Sequence, residues 1–186
     1  MKRIFDFIVS LFALILLSPL IVLIAIAIKL TSGGPVLYWS ERVGKYNKIF
    51  RMPKFRTMTL DTPLVPTRYL KNPKKYLTIV GSFLRKTSLD ELPQLYSILK
   101  GDMTFVGPRP VLTNEKELLT LRNKEGINQF WPGMTGWAQV NGRDSVLIEE
   151  KVALEKEYMK KQSFFFDLYI FLKTIPKVLF KEDITH

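Results

Sequence analysis

The residues best suited to chemistry in this chain are two neighbouring carboxylates, Asp90 and Glu91, which directly follow a cationic run ending in Arg85 and Lys86. Phosphoryl transfer requires a nucleophile, positive charge against the phosphate oxygens and usually Mg²⁺ held by carboxylate oxygen. Carboxylates can serve as nucleophile and as metal ligand, and arginine supplies the charge. Arg109 stands between Pro108 and Pro110, whose rings keep the backbone extended and present the guanidinium at little ordering cost. Its planar fork matches phosphate oxygens. A plain ion pair with an acid such as Asp102 is the alternative. The two acids also have a purely structural reading, as favourable charges at a helix start.

Elements must position these groups. Leu92, Leu95, Ile98 and Leu99 recur at helical spacing, and Gly101 suits a left-handed terminator. Pro93 is tolerated only in a first turn, so the helix is expected to begin at Ser88, Leu89 or Asp90, with Ser88 and Glu91 at capping-box spacing. Consecutive helical side chains diverge by about 100°, so the two carboxylates would face different neighbours. Upstream, Lys54-Phe55-Arg56 alternates like a strand that aims two cations one way. Residues 62–73 read as an irregular loop with three prolines, and Trp137 to Val140 followed by Asn141-Gly142 as a short strand and tight turn. Residues 146–162 read as a charged surface helix without a chemical role. Phe164 to Phe180 is apolar yet carries Asp167, Lys173 and Lys177, the pattern of a helix lying in a membrane interface. A core-facing helix is the alternative, and Pro176 would bend or end it.

Between Asp6 and Lys29 lie 22 uncharged, mostly apolar residues, enough for a membrane segment. Ala25-Ile26-Ala27 mimics a signal-peptidase site, but the apolar stretch is too long for a signal peptide. Ser18-Pro19 near its middle predicts a kink, because proline removes a backbone hydrogen bond and clashes with the carbonyl four residues earlier. Lys2 and Arg3 precede the segment while Lys29, Arg42, Lys45 and Lys48 follow it, which draws both ends toward the cytoplasm. A re-entrant hairpin satisfies both ends, and a kinked spanning helix is equally compatible with the residues alone.

The length of 186 residues suits one domain, and 47% hydrophobic against 24% charged residues argues against extensive disorder. The absence of cysteine excludes disulfides and thiolate metal sites. Net charge is +11 and lopsided: residues 1–89 hold 15 Lys/Arg against 3 acids, and residues 90–186 hold 13 against 14. The first half therefore calls for an anionic partner. From Arg42 to Ser88 twelve cations accompany one acid, Asp61. No helix-turn-helix, zinc-finger or RNP pattern goes with them, so lipid headgroups or a phosphorylated substrate are expected and nucleic acid is not.

Five segments together carry a family resemblance: Lys54-Phe55-Arg56-Thr57-Met58; Leu84-Arg85-Lys86-Thr87-Ser88-Leu89-Asp90-Glu91-Leu92-Pro93-Gln94-Leu95; Gly101-Asp102-Met103; Val106-Gly107-Pro108-Arg109-Pro110; and Pro132-Gly133-Met134-Thr135-Gly136-Trp137-Ala138-Gln139-Val140-Asn141-Gly142-Arg143. In this order they resemble the bacterial sugar transferases, or monotopic phosphoglycosyl transferases, over essentially the whole chain. The chain is similar to the minimal members that contain only the catalytic domain. The resemblance implies an α+β, mostly helical fold: a re-entrant membrane helix-break-helix over residues 1–30, turning at Ser18 and Pro19, and a catalytic domain over 31–186 with interfacial amphipathic helices and a small β element around the site.

It also implies a two-step reaction at the cytoplasmic face of the bacterial inner membrane. Asp90 would attack the sugar-bearing phosphorus of a UDP-sugar and release UMP, with Asp90 also a ligand of the Mg²⁺ that neutralises the diphosphate. Glu91 would position or deprotonate polyprenyl phosphate for the second transfer. Arg85 and Arg109 are implied phosphate ligands, with Lys54, Gln139, Asn141 and Arg143 as further pocket residues. The segment from Thr59 to Val80 matches nothing in the family pattern, and a homodimer is compatible with it. Two rival functions make distinct predictions. A non-enzymatic membrane-anchored interaction protein would tolerate neutral substitutions of the acidic pair, and a lipid-phosphate hydrolase would release inorganic phosphate.

Overall fold

The apolar N-terminus forms one helix, α1 (Lys2–Ser32), in the computed structural model, which describes residues 2–63, 70, 72–142 and 147–179. It is long and apolar enough to cross a membrane. Pro19 lies within this helix and does not separate two others. Proline has no N–H to offer the carbonyl of Ile15 four residues back, and the Ser18 hydroxyl donates to that same oxygen at 2.8 Å. The orphaned acceptor is thereby satisfied.

Both ends of α1 and its middle rest on one body. Lys2 Nζ donates to Val106 O at 2.7 Å and pairs with Asp167 at 2.5 Å. Val9, Ala13, Leu14 and Leu17 pack on the main core, and Ile24 and Ile28 pack with Phe55 and Leu84 in a second cluster. A buried carboxylate is costly unless hydrogen-bonded. Asp6, 1% exposed, accepts from Thr104 Oγ1 at 2.7 Å and from the Phe105 amide at 3.3 Å. The opposite side of α1 leaves Ile4, Phe12, Ile15, Leu16, Leu23 and Leu30 exposed.

After α1 comes an antiparallel hairpin, β1 (Leu37–Val43) and β2 (Ile49–Phe55), in which Tyr38 pairs with Lys54 and Val43 with Ile49. Then follow α2 (Ile79–Thr87), α3 (Gln94–Lys100), β3 (Thr104–Val106) and β4 (Val111–Leu112). β4 joins the free side of β1, giving the order β2-β1-β4. The remaining elements are α4 (Lys116–Lys124), β5 (Gly133–Thr135), α5 (Trp137–Asn141), α6 (Ile148–Lys161) and α7 (Phe164–Leu179), with β5 parallel to β3. Phe50 and Met52 of β2, Ile98 of α3, Tyr158 of α6 and Ile170 of α7 are buried in the shared core.

Several local expectations change. Trp137 to Val140 is not a strand but most of the short helix α5, closed by Val140 N donating to Gly136 O at 3.1 Å. The expected helix start at residues 88–90 is instead a 3₁₀ turn, Leu89–Glu91, and the α-helix proper begins at Gln94 behind Pro93. Ser88 makes no capping bond from its side chain; its φ of 56° is left-handed, which ends α2 and reverses the chain. α6 carries buried groups on one side, among them Glu155 and Tyr158. α7 continues past Pro176 and combines both of its expected characters: Ile170 is buried, while Phe165 and Leu172 are 80% and 55% exposed.

Candidate active site

The acidic pair is held by what flanks it. Thr78 caps α2 by accepting from Gly81 N at 2.8 Å. Gly81 lies so close to the chain after β2 that a Cβ there would come within 2.0 Å of Thr57 O. That approach brings the last turn of α2 under residue 57, where Arg85 Nε donates to Thr57 Oγ1 at 3.0 Å. The left-handed Ser88 then turns the chain so that Asp90 and Glu91 stand between α2 and α3.

Here the two carboxylates part company. Glu91 Oε1 accepts from Lys54 Nζ at 2.6 Å, and Arg109 Nη2 stands 3.9 Å from the same oxygen. Asp90 is partly buried, and desolvation raises its pKa from 3.8 to about 6; the Glu91 charge adds to the rise, while Lys54 and Arg85 oppose it. A carboxylate stripped of water yet still mostly ionised at pH 7 is chemically able to serve as a nucleophile or as a metal ligand. Asp102, the alternative partner for Arg109, pairs with Lys100 at 2.9 Å instead.

The Arg109 loop owes its position to glycines. Gly107 N donates to Thr135 O and Gly133 N to Pro108 O, both at 2.8 Å. A Cβ on Gly133 would lie 2.1 Å from Gly107 N, and one on Gly136 would lie 2.1 Å from Gly107 O. The segments 106–110 and 132–136, far apart in sequence, therefore cross at van der Waals limits that only glycine permits.

Lys54, Arg85, Asp90, Glu91 and Arg109 thus come together. Gln139 and Asn141 are engaged within their own segment: Gln139 Nε2 donates to Met134 O at 3.3 Å and Asn141 Nδ2 to Trp137 O at 2.8 Å. Gln139 Oε1 is buried without a partner among the described residues. Arg143 lies outside the described residues. One residue was missed. Arg42 on β1 donates to Pro110 O at 3.3 Å, and its pKa is lowered first by burial and then by the charge of Arg109. Its place at the head of the acid-free cationic run was the available signal, but nothing in that run distinguishes it from its neighbours.

No group of three or more His, Cys, Asp or Glu side chains gathers among the described residues. A site with one or two carboxylates suits Mg²⁺ that takes its other oxygens from substrate phosphates and water, and Asp90 beside Glu91 fits that donor set.

The chain belongs to the bacterial sugar transferase family, whose model matches residues 1–181. It is 39% identical to the exopolysaccharide production protein ExoY of Sinorhizobium fredii, across 95% of this chain and 84% of that one. It is 39% identical to an undecaprenyl-phosphate galactose phosphotransferase of Salmonella typhimurium across 96% of this chain, and 38% identical to a UDP-glucose:undecaprenyl-phosphate glucose-1-phosphate transferase of Escherichia coli across 95%. This chain spans 40% of the length of each of those last two proteins.

Proposed function

We propose that this protein transfers a phosphosugar from a UDP-sugar to polyprenyl phosphate, undecaprenyl phosphate in particular, and releases UMP. The observation that carries the reading is the split between two adjacent carboxylates: Glu91 is neutralised by Lys54, while Asp90 is desolvated and beside Arg85. The activities for which the Salmonella and Escherichia relatives are named supply the substrate class.

In the first step an Asp90 carboxylate oxygen bonds to the sugar-bearing phosphorus, and the bond from that phosphorus to the bridging oxygen breaks. UMP leaves with the electron pair. Arg85 and Arg109 balance the charge on the phosphate oxygens. In the second step an oxygen of polyprenyl phosphate attacks the same phosphorus and frees Asp90, with Glu91 orienting the acceptor and taking its proton if it carries one. Mg²⁺, with Asp90 as its protein ligand, supplies neutralisation of the diphosphate when bound.

The membrane arrangement follows the apolar surface. The exposed side of α1 meets that of α7 where Phe5 and Phe164 pack edge to face at 5.6 Å, and Ile79 and Phe83 of α2 are exposed as well. A surface of this kind suits burial in one leaflet. α1 enters and leaves on the cytoplasmic side of the bacterial inner membrane, which agrees with both of its ends resting on one body. Incubating the protein with polyprenyl phosphate and a panel of UDP-sugars tests the reaction: UMP is expected from at least one sugar. Release of inorganic phosphate, or of nothing, would refute it.

A further inference from the structure

Given the phosphate-binding role proposed for Arg109, we propose that Arg122, backed by Glu155, is a positioning residue that holds Arg109 in place for the diphosphate. Pro108 and Pro110 have no N–H, so the loop can be fixed mainly through its carbonyls. Three successive ones are each taken by a different element: Pro108 O by Gly133 N of β5 at 2.8 Å, Arg109 O by Arg122 Nη1 of α4 at 3.0 Å, and Pro110 O by Arg42 Nη1 of β1 at 3.3 Å. The middle one belongs to Arg109 itself.

Arg122 and Glu155 are 8% and 2% exposed at their side chains, and Glu155 accepts from both Nε, at 2.7 Å, and Nη2. The bidentate pair occupies two of the three guanidinium nitrogens; the third is the one on Arg109 O. Joining α4 to α6 does not require this. Well-packed apolar side chains would do so as stably or better, because a buried ion pair loses solvation for both charges. Only a guanidinium can hold both oxygens of a carboxylate and still reach a backbone carbonyl. Arg42 also holds the loop, but it stands in the field of Arg109 and Glu91, so its removal would alter the charge of the site directly. Arg122 acts through the backbone.

The test uses the full chain in nanodiscs with UDP and Mg²⁺, and measures binding by calorimetry and melting temperature in parallel. Combining Arg122→Met with Glu155→Leu removes the pair without leaving a lone buried charge. UDP binding is expected to weaken about tenfold while melting stays within a few degrees of wild type. Arg122→Lys, which retains a charge for Glu155 but loses the fork, is expected to weaken binding similarly and decides the matter if the double variant does not fold. In an Arg109→Ala background neither change should weaken binding further. Wild-type affinity in the folded double variant, or an equal loss in the Arg109→Ala background, would overturn the positioning role. Wild-type affinity in Arg109→Ala alone would instead overturn the phosphate role on which it rests.

Discussion

Asp90 and Glu91 differ by one position and by nearly everything around them. A carboxylate whose pKa is raised by folding has a definite pH signature. Below about 3.8 it is protonated in both folded and unfolded chains and contributes nothing; between 3.8 and 6 the unfolded chain ionises first, and above about 6 the full penalty is present. Asp90→Asn should therefore stabilise the metal-free protein by about 1–3 kcal/mol at pH 7.5 and by almost nothing near pH 4. Thermal scans at the two pH values check this, and an equal shift at both would contradict the desolvated carboxylate. The same substitution should slow UMP release by at least about a thousandfold, since an amide cannot form the phosphosugar ester.

At the scale of elements, the site is set by close backbone approaches. α2 is seated by Gly81 against Thr57, and the Arg109 loop by Gly107 against Gly133 and Gly136. A methyl group on Gly133 would collide with backbone that cannot rotate away. Gly133→Ala is expected to destabilise by more than about 3 kcal/mol and to abolish transfer. Gly34 is a useful contrast, since its added Cβ would meet only the Leu60 side chain, at 2.9 Å. Gly34→Ala should cost less than about 1 kcal/mol, because the end of a leucine can move. Thermal unfolding of both variants in detergent decides; comparable losses would mean the crossing is not special.

For the molecule as a whole, the unusual feature is a membrane-length helix docked along its length. Asp6 bonds to β3, Lys2 bonds to Val106, Tyr158 and Asp167, and Ile28 packs near α2. A re-entrant helix, whose two ends return to the same face of the membrane, is the arrangement we propose from this docking. The chain has no cysteine, so single cysteines placed before Met1 and at Thr31 can be labelled in sealed inverted vesicles with an impermeant reagent. Both should label from the cytoplasmic face. Labelling of the two from opposite faces would exclude the re-entrant arrangement and leave a kinked spanning helix.

Much of this was legible before folding. The apolar N-terminal run, the cationic first half, the acidic pair and the proline-framed Arg109 are matters of composition and spacing, and such patterns persist in any conformation. Ser18 beside Pro19 was equally readable, because a hydroxyl next to a proline serves a carbonyl only one turn away. The sequence could not show that Lys54 pairs directly with Glu91 while desolvation outweighs its pull on Asp90, since that balance depends on β2 and the turn at residue 90 meeting across 37 positions. Nor could it show that α6, which reads as a plain surface helix, buries the carboxylate behind Arg122. The sign and strength of an electrostatic interaction depend on distance and on the water excluded between the groups, and both are set only when the chain has closed on itself.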